Sequence, residues 1–313
     1  MKTSFAVVLL LSSCRADNAT LAEVQALIVR VLGSGRFAPA LELIPPTAEG
    51  FDAFEIDSRE GAPVVLRGSS GVALASAFDW YLKYTCNNSI SWGRDGSGDQ
   101  LANFPFDAPP SPAFERRERA TQWSYYQNVC TVGYSMAWWS WARWRREIDW
   151  MAMSGINLPL AFVGQEMVLE KVFREQFNVS SEGMDAFLSG PAFLPWNRMS
   201  NMRGWGGPLP RRWLDEQAQM QTEILGAMRA LGMTPVLAGF SGRVPAALQA
   251  MYPDADIIRA ADWNGFEDQY GRDYMLAPTD PLFREIGAAI TSATVELFGD
   301  NGDGRPNVYN MDT

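Results

Sequence analysis

Residues 154–166 read SGINLPLAFVGQE. Ile156 to Phe162 is a near-continuous apolar run, the signature of a strand covered on both faces, as in a parallel α/β sheet. It ends in the polar turn VGQE. Upstream, in SMAWWSWARWRREIDWMAMSG, residues Trp138, Trp141, Trp144 or Arg145, Ile148 and Met151 recur at helical spacing, while Arg143, Arg146, Glu147 and Asp149 are polar. This predicts a helix stopped by Gly155, with its tryptophan stripe packed on a sheet.

The same rhythm extends in both directions. Gln122–Cys130 is a strand candidate before this helix. Beyond Glu166, a helix is expected over Leu214–Leu231 with Gly232 as its stop, and an apolar strand over Thr234–Phe240 ending in SGR. A further helix, Leu282–Phe298, and a fourth strand, Asn307–Asn310, complete the series. Four β/α units with polar, aromatic and Gly-rich segments at the strand ends predict the first half of a (β/α)8 TIM barrel, whose strand C-termini build the site. An open doubly wound sheet is the alternative.

The N-terminal part has a different pattern. Thr20-Leu21-Ala22-Glu23 has the form of a capping box and predicts a helix over Leu21–Leu32, stopped by Gly33. Phe51–Asp57 and Pro63–Leu66 are expected strands, and RGSSG leads into a helix over Val72–Tyr84. No Gly-Lys-Ser/Thr follows these glycines, so RGSSG reads as a tight turn rather than a phosphate cradle. The expected organisation is a signal peptide over 1–17, a small α+β domain over 18–106, a Pro-rich charged linker over 107–120, and the partial barrel over 121–313.

The ends carry their own readings. Lys2, the apolar run Phe5–Leu11 and the small residues after it have the layout of a secretory signal; Leu11-Ser12-Ser13-Cys14 also fits a bacterial lipoprotein signal. The run is too short to span a bilayer, and no later segment is long enough. Sequons at Asn18, Asn87 and Asn178 fit glycosylation in a eukaryotic secretory route. Cys86 and Cys130 leave one bridge or two free thiols.

Composition removes whole classes of function. The formal net charge is −10 with no basic stripe, which argues against nucleic acid as a partner. Histidine is absent, which excludes Ser-His-Asp and Cys-His nucleophile systems and the His-Glu-x-x-His zinc site from this stretch. The acidic DNGDG of residues 300–304 lacks the ligand alternation and distal Glu of an EF-hand and reads as a turn. No metal or cofactor is expected. Carboxylates are the expected agents of any chemistry.

Candidate site residues lie in the strand-end turns. YYQNVCTVGY offers Asn128, Cys130 and Tyr134, and GQE offers Gln165 and Glu166. The long loop GPAFLPWNRMSNMRGWGGPLP carries Trp196, Met199 and Trp205, and ADWNGF adds Trp263. Flat apolar faces of this kind suit pyranose stacking, and they equally suit the stapling of a long loop.

YYQNVCT, WARWRREIDWMAMSGINLPLAF, GQE, GPAFLPWNRM, GPLP, LGMTPVLAGFSG and YNMDT, in this order, resemble the α-N-acetylglucosaminidases of glycoside hydrolase family 89. RGSSGVALASAFDWYLKYTC resembles their small N-terminal domain. The resemblance implies a retaining exo-glycosidase that removes terminal α-linked N-acetylglucosamine, with heparan sulfate in the lysosome as the animal substrate. It implies substrate-binding roles for Asn128, Cys130, Tyr134, Trp196, Met199 and Trp263. Arg243 departs from the family pattern, which has histidine there.

Retention requires two carboxyl groups about 5–5.5 Å apart, an acid and a nucleophile. The resemblance implies that both are glutamates, the first after an Asp-Thr-Phe-Asn-Glu stretch of which this chain holds Asp312 and Thr313. The chain is therefore expected to be an N-terminal piece, inactive alone, with no catalytic residue of its own. Glu166, an acid without a mate, reads with Gln165 as a positioning residue. A half barrel is expected to aggregate or dimerise through its unpaired edges. A non-catalytic sugar-binding relative is the alternative function.

Overall fold

The computed structural model describes residues 3–93, 97–301 and 307–311. It divides into two compact units: one comprises Met1–Tyr126, Ala142–Pro159 and Gly226–Thr234, the other Gln127–Trp141, Leu160–Leu225 and Pro235–Thr313.

The first unit is built on a four-stranded sheet in the order Ala40–Leu43, Ala62–Gly68, Ala53–Arg59, Glu115–Glu118. The first pair is parallel and the other two are antiparallel. Helix Gly71–Tyr84 follows the central strand, and Ser70 caps it by accepting the Ala73 N–H at 3.1 Å. Val65, Leu66, Val72, Leu74, Phe78 and Tyr81 from these elements are fully or almost fully buried, together with Val24, Leu27 and Ile28 of the N-terminal helix. That helix runs over Thr3–Leu32, so Thr20 lies inside it and does not start it. Glu115–Glu118, charged enough to read as linker, is instead an edge strand. Arg116 reaches Glu55 and Glu118 there at 2.7 and 2.8 Å, and charged side chains are how a sheet edge resists further pairing.

The helix expected after the first barrel strand spans Trp141–Met153. Trp144, Ile148 and Met151 are buried as the spacing predicts, but Trp138 lies outside the helix and is 70% exposed. The polar positions Arg143, Glu147 and Asp149 are buried as well. Asp149 accepts both Arg30 Nε and Nη2 (2.8 and 2.9 Å), and Glu147 accepts Trp92 Nε1 (2.6 Å) and Tyr126 Oη (3.0 Å) and pairs with Arg143 (3.0 Å). Charges enter a core when partners satisfy them, and no periodicity reports such partners. The strand candidates on either side are short: Tyr125–Tyr126 pairs in parallel with Leu158–Pro159. Asn157 fastens this pair, accepting the Ser124 N–H and donating to Gln122 O.

In the second unit, Val236–Ala238 pairs in parallel with Val308–Asn310, and Leu160 makes a parallel bridge to Val236. Helix Pro281–Phe298 packs on helix Gln165–Glu175, and the latter occupies the stretch read from sequence as a turn. In chain order, an antiparallel sheet with strands arranged Arg243–Val244, Tyr274–Leu276, Ile257–Arg259 comes after the parallel strand at Val236 and before helix Pro281–Phe298. Its two- and three-residue strands are too short to show an alternation. Residues 302–304 of the expected acidic turn, and Asp312 and Thr313, fall outside the described residues.

Candidate active site

Parallel strands leave their C-terminal ends to loops, and in the second unit those loops wall a cleft. Ala238, Gly239, Phe240 and Ser241 follow one strand and Asn310 ends the other; Phe162, Gln165 and Leu169 come from the next segment, and Val129, Pro195, Arg198, Met199 and Arg243 complete the wall. None of these is an Asp or Glu. Gln165 sits at the start of its helix, preceded by Gly164 at φ +73°. That left-handed turn is one a side chain rarely adopts.

Glu166, one residue on, faces the other way and does not line the cleft. It is 1% exposed and grips Arg198 with both oxygens, at 2.9 Å to Nε and 3.1 Å to Nη2. Arg198 closes the short helix Leu194–Arg198, which also carries Trp196 and precedes Met199. Buried Asn197 holds that turn from within, donating to Phe187 O and Met202 O at 2.9 Å each.

Beside the cleft the aromatic candidates meet. Trp196 has Tyr134 edge-on at 5.0 Å between ring centroids and Trp263 at 6.2 Å, and Trp263 stacks on Phe266 at 5.6 Å. Trp205 packs edge-on against Phe266 and Tyr270. Arg203 ties their two loops together by donating to the carbonyls of Asp268, Gly271 and Arg272. Burial pushes its guanidinium pKa down. Tyr134 is half exposed, and its phenol is pushed up by desolvation and by the neighbouring Cys130.

Cys130 Sγ lies 3.4 Å from Met199 Sδ, and its N–H donates to Asn128 Oδ1 at 2.9 Å. Neither Cys86 nor Cys130 is disulfide-bonded. Of the residues singled out from sequence, Gln165 and Met199 line the cleft. Asn128 and Cys130 flank Val129, which lines it, and Tyr134, Trp196 and Trp263 form the aromatic group beside it.

Sequence reasoning missed the two arginines that line the cleft as site residues. Arg243 is 6% exposed, with Nε 2.6 Å from Asp273 Oδ2, Nη2 2.8 Å from Phe187 O, and its guanidinium 3.8 Å from the Phe187 ring centroid. Asp273 is fully buried, and burial pushes its carboxyl up against the opposing pull of Arg243. Arg198 could have been noticed only through its place between Trp196 and Met199. No group of His, Cys, Asp and Glu among the described residues could hold a metal ion.

A parallel-stranded β/α unit with its cleft at the strand C-termini, joined in one chain to a small α+β unit, is the plan of a barrel glycoside hydrolase with an accessory N-terminal domain. Residues 124–313 match the alpha-N-acetylglucosaminidase (NAGLU) TIM-barrel domain and residues 22–110 the NAGLU N-terminal domain, and the chain belongs to that family. Over 295 residues it is 38% identical to human alpha-N-acetylglucosaminidase, covering 93% of this chain and 38% of that protein. The structure is similar to a Clostridium perfringens family 89 glycoside hydrolase in complex with GlcNAc-alpha-1,4-galactose, at a TM-score of 0.84 and 32% identity over 95% of this chain and 33% of that one. The same hydrolase in complex with 2-acetamido-1,2-dideoxynojirimycin gives a TM-score of 0.83 at 33% identity, with the same coverage. The chain thus spans about two-fifths of the curated relative's length and a third of the solved chain's.

Proposed function

We propose that the protein is a retaining exo-glycosidase that hydrolyses terminal α-linked N-acetylglucosamine, with glycans such as heparan sulfate as its substrate class. The observation that carries this reading is the aromatic group formed by Tyr134, Trp196 and Trp263, set next to the cleft residue Met199 in a chain of this family. Flat rings bind the apolar face of a pyranose, and Asn128, Cys130 and Met199 supply polar and polarisable contacts around it. Gln165 and Glu166 act as positioning residues, Glu166 by holding Arg198 and with it the turn that presents Trp196 and Met199.

Retaining hydrolysis requires an acid and a nucleophile about 5–5.5 Å apart. Among the described residues no carboxylate lines the cleft, and in this reading residues 1–313 supply the walls while the two catalytic glutamates are not among them. We further propose the domain division set out from the sequence with the edge strand Glu115–Glu118 moved from the linker into the N-terminal domain, a secretory leader over residues 1–17, and a secreted or lysosomal location. Asn18, Asn87 and Asn178 are all exposed, as glycosylation would require.

The test is hydrolysis of an aryl α-N-acetylglucosaminide by the intact protein beside binding of 2-acetamido-1,2-dideoxynojirimycin by residues 18–313. Turnover by the intact protein with retention of configuration supports the enzyme. Sugar binding with no turnover by the intact protein supports a non-catalytic relative instead. Turnover by residues 18–313 alone contradicts the placement of the catalytic pair.

A further inference from the structure

Trp196 and Trp263 belong to different loops, yet their ring centroids stand 6.2 Å apart. Loops are the most mobile parts of a fold, so that spacing needs a fastening. Arg203 supplies one. It is 7% exposed, and where Arg198 and Arg243 give donors to carboxylates, it gives its own to the main chain. Nη1 donates to Gly271 O and Arg272 O at 2.7 and 3.0 Å, and Nη2 to Asp268 O at 2.7 Å. Its backbone N–H donates to Tyr270 O at 2.8 Å. Hydrogen bonds from a charged donor are roughly twice as strong as neutral ones, and the planar fork of a guanidinium fixes their direction. One residue thereby pins the backbone of 268–272.

Both tryptophans are tied to this point. Asn197, next to Trp196, donates to the carbonyl of Met202, next to Arg203. Trp205, two residues beyond Arg203, packs edge-on against Phe266 and Tyr270, and Phe266 stacks on Trp263. We infer that Arg203 is a positioning residue for the sugar: it fixes Trp196 and Trp263 in the arrangement that the pyranose meets, so that the aromatic wall is formed before the ligand arrives. The inference rests on the glycosidase reading above. A wall held in its bound arrangement spares the ligand the cost of ordering it. Arg203 is not among the residues that line the cleft, so its loss weakens binding of substrate and transition state alike and is read in KM rather than in kcat.

The experiment compares the intact protein with its Arg203→Ala variant in hydrolysis of an aryl α-N-acetylglucosaminide. The variant is expected to show KM raised about two- to tenfold, the cost of immobilising one side chain on binding, with kcat retained. Millimolar guanidinium chloride is expected to lower that KM again, because the ion fits the space left by the side chain and meets the same three carbonyls; sodium chloride is the control. An unchanged KM in the folded variant, or a raised KM that guanidinium does not lower, overturns this inference and leaves the glycosidase reading standing. Amide hydrogen exchange of the unaltered protein is a second measurement that needs no variant. Residues 266–272 are expected to exchange equally with and without 2-acetamido-1,2-dideoxynojirimycin, whereas slowing on binding shows that the sugar assembles the wall and overturns the inference. An unaltered protein that neither hydrolyses the aryl glycoside nor binds the inhibitor overturns both readings.

Discussion

Glu166 and Arg198 form a bidentate ion pair, 2.9 Å and 3.1 Å between their atoms, with the carboxylate 1% exposed and the arginine turned toward the cleft. A helix-start acid is thereby coupled to the turn that carries Trp196 and Met199. Removing one partner strands the other in a low-dielectric site. Glu166→Ala is expected to lower unfolding free energy by about 3 kcal/mol, read as a shift in the urea midpoint. In the folded variant, ligand affinity should fall with it, because the aromatic turn loses its anchor.

The pair Arg243–Asp273 is buried at both ends, 6% and 0% exposed. Either Arg243→Met or Asp273→Asn is expected to destabilise by about 3–5 kcal/mol, and the double variant by less than their sum, since neither charge is then left alone. Denaturant curves of the three variants check this. Strict additivity would show that the pair is not coupled.

Gly133 follows the loop of Asn128 and Cys130, and a Cβ on it would collide with the Pro195 ring. Gly133→Ala is expected to cost about 1–3 kcal/mol by overpacking the helix Leu194–Arg198. Thermal unfolding measures the loss. An unchanged midpoint would mean that this helix yields to the extra methyl.

Burial raises the Glu147 carboxyl above its ordinary 4.5, against the opposing pull of Trp92 and Arg143. The folded state then holds this proton more tightly than the unfolded chain does, so the contribution is present in full below about pH 4.5 and is lost as pH rises through the folded value. Relative to Glu147→Gln, the wild type should therefore lose stability as pH rises above 4.5, measured as paired urea midpoints. Its neighbour Tyr126 is pushed up to about 12 by burial and by Glu147, so one tyrosine should ionise near there in an alkaline absorbance titration.

Trp196 sits between Tyr134 and Trp263. Trp196→Ala is expected to weaken binding of 2-acetamido-1,2-dideoxynojirimycin by about two- to tenfold, the loss of one stacked aromatic face. Calorimetry with the intact protein reads it, and unaltered affinity would place the sugar elsewhere.

The sequence by itself determined the order of elements wherever burial leaves a periodic trace. Ile148 and Met151 recur on one face and are buried, Gly155 and Gly232 stop their helices at positive φ, and Val236–Ala238 lies within an apolar run. The motifs also carried the family, because long Trp-rich strings persist where packing tolerates little change. What only the tertiary structure decided concerns groups whose setting depends on residues far away in the chain. Glu166 looked like a cleft acid until Arg198, 32 residues on, turned it inward. Glu147 and Asp149 read from sequence only as polar, and their burial depends on Trp92, Tyr126 and Arg30, which satisfy them. Glu115–Glu118 looked like linker because an edge strand shows charge rather than alternation. Hydrophobic burial is written locally as spacing, whereas the satisfaction of a buried charge is a property of the pair and appears only once the fold has brought the two together.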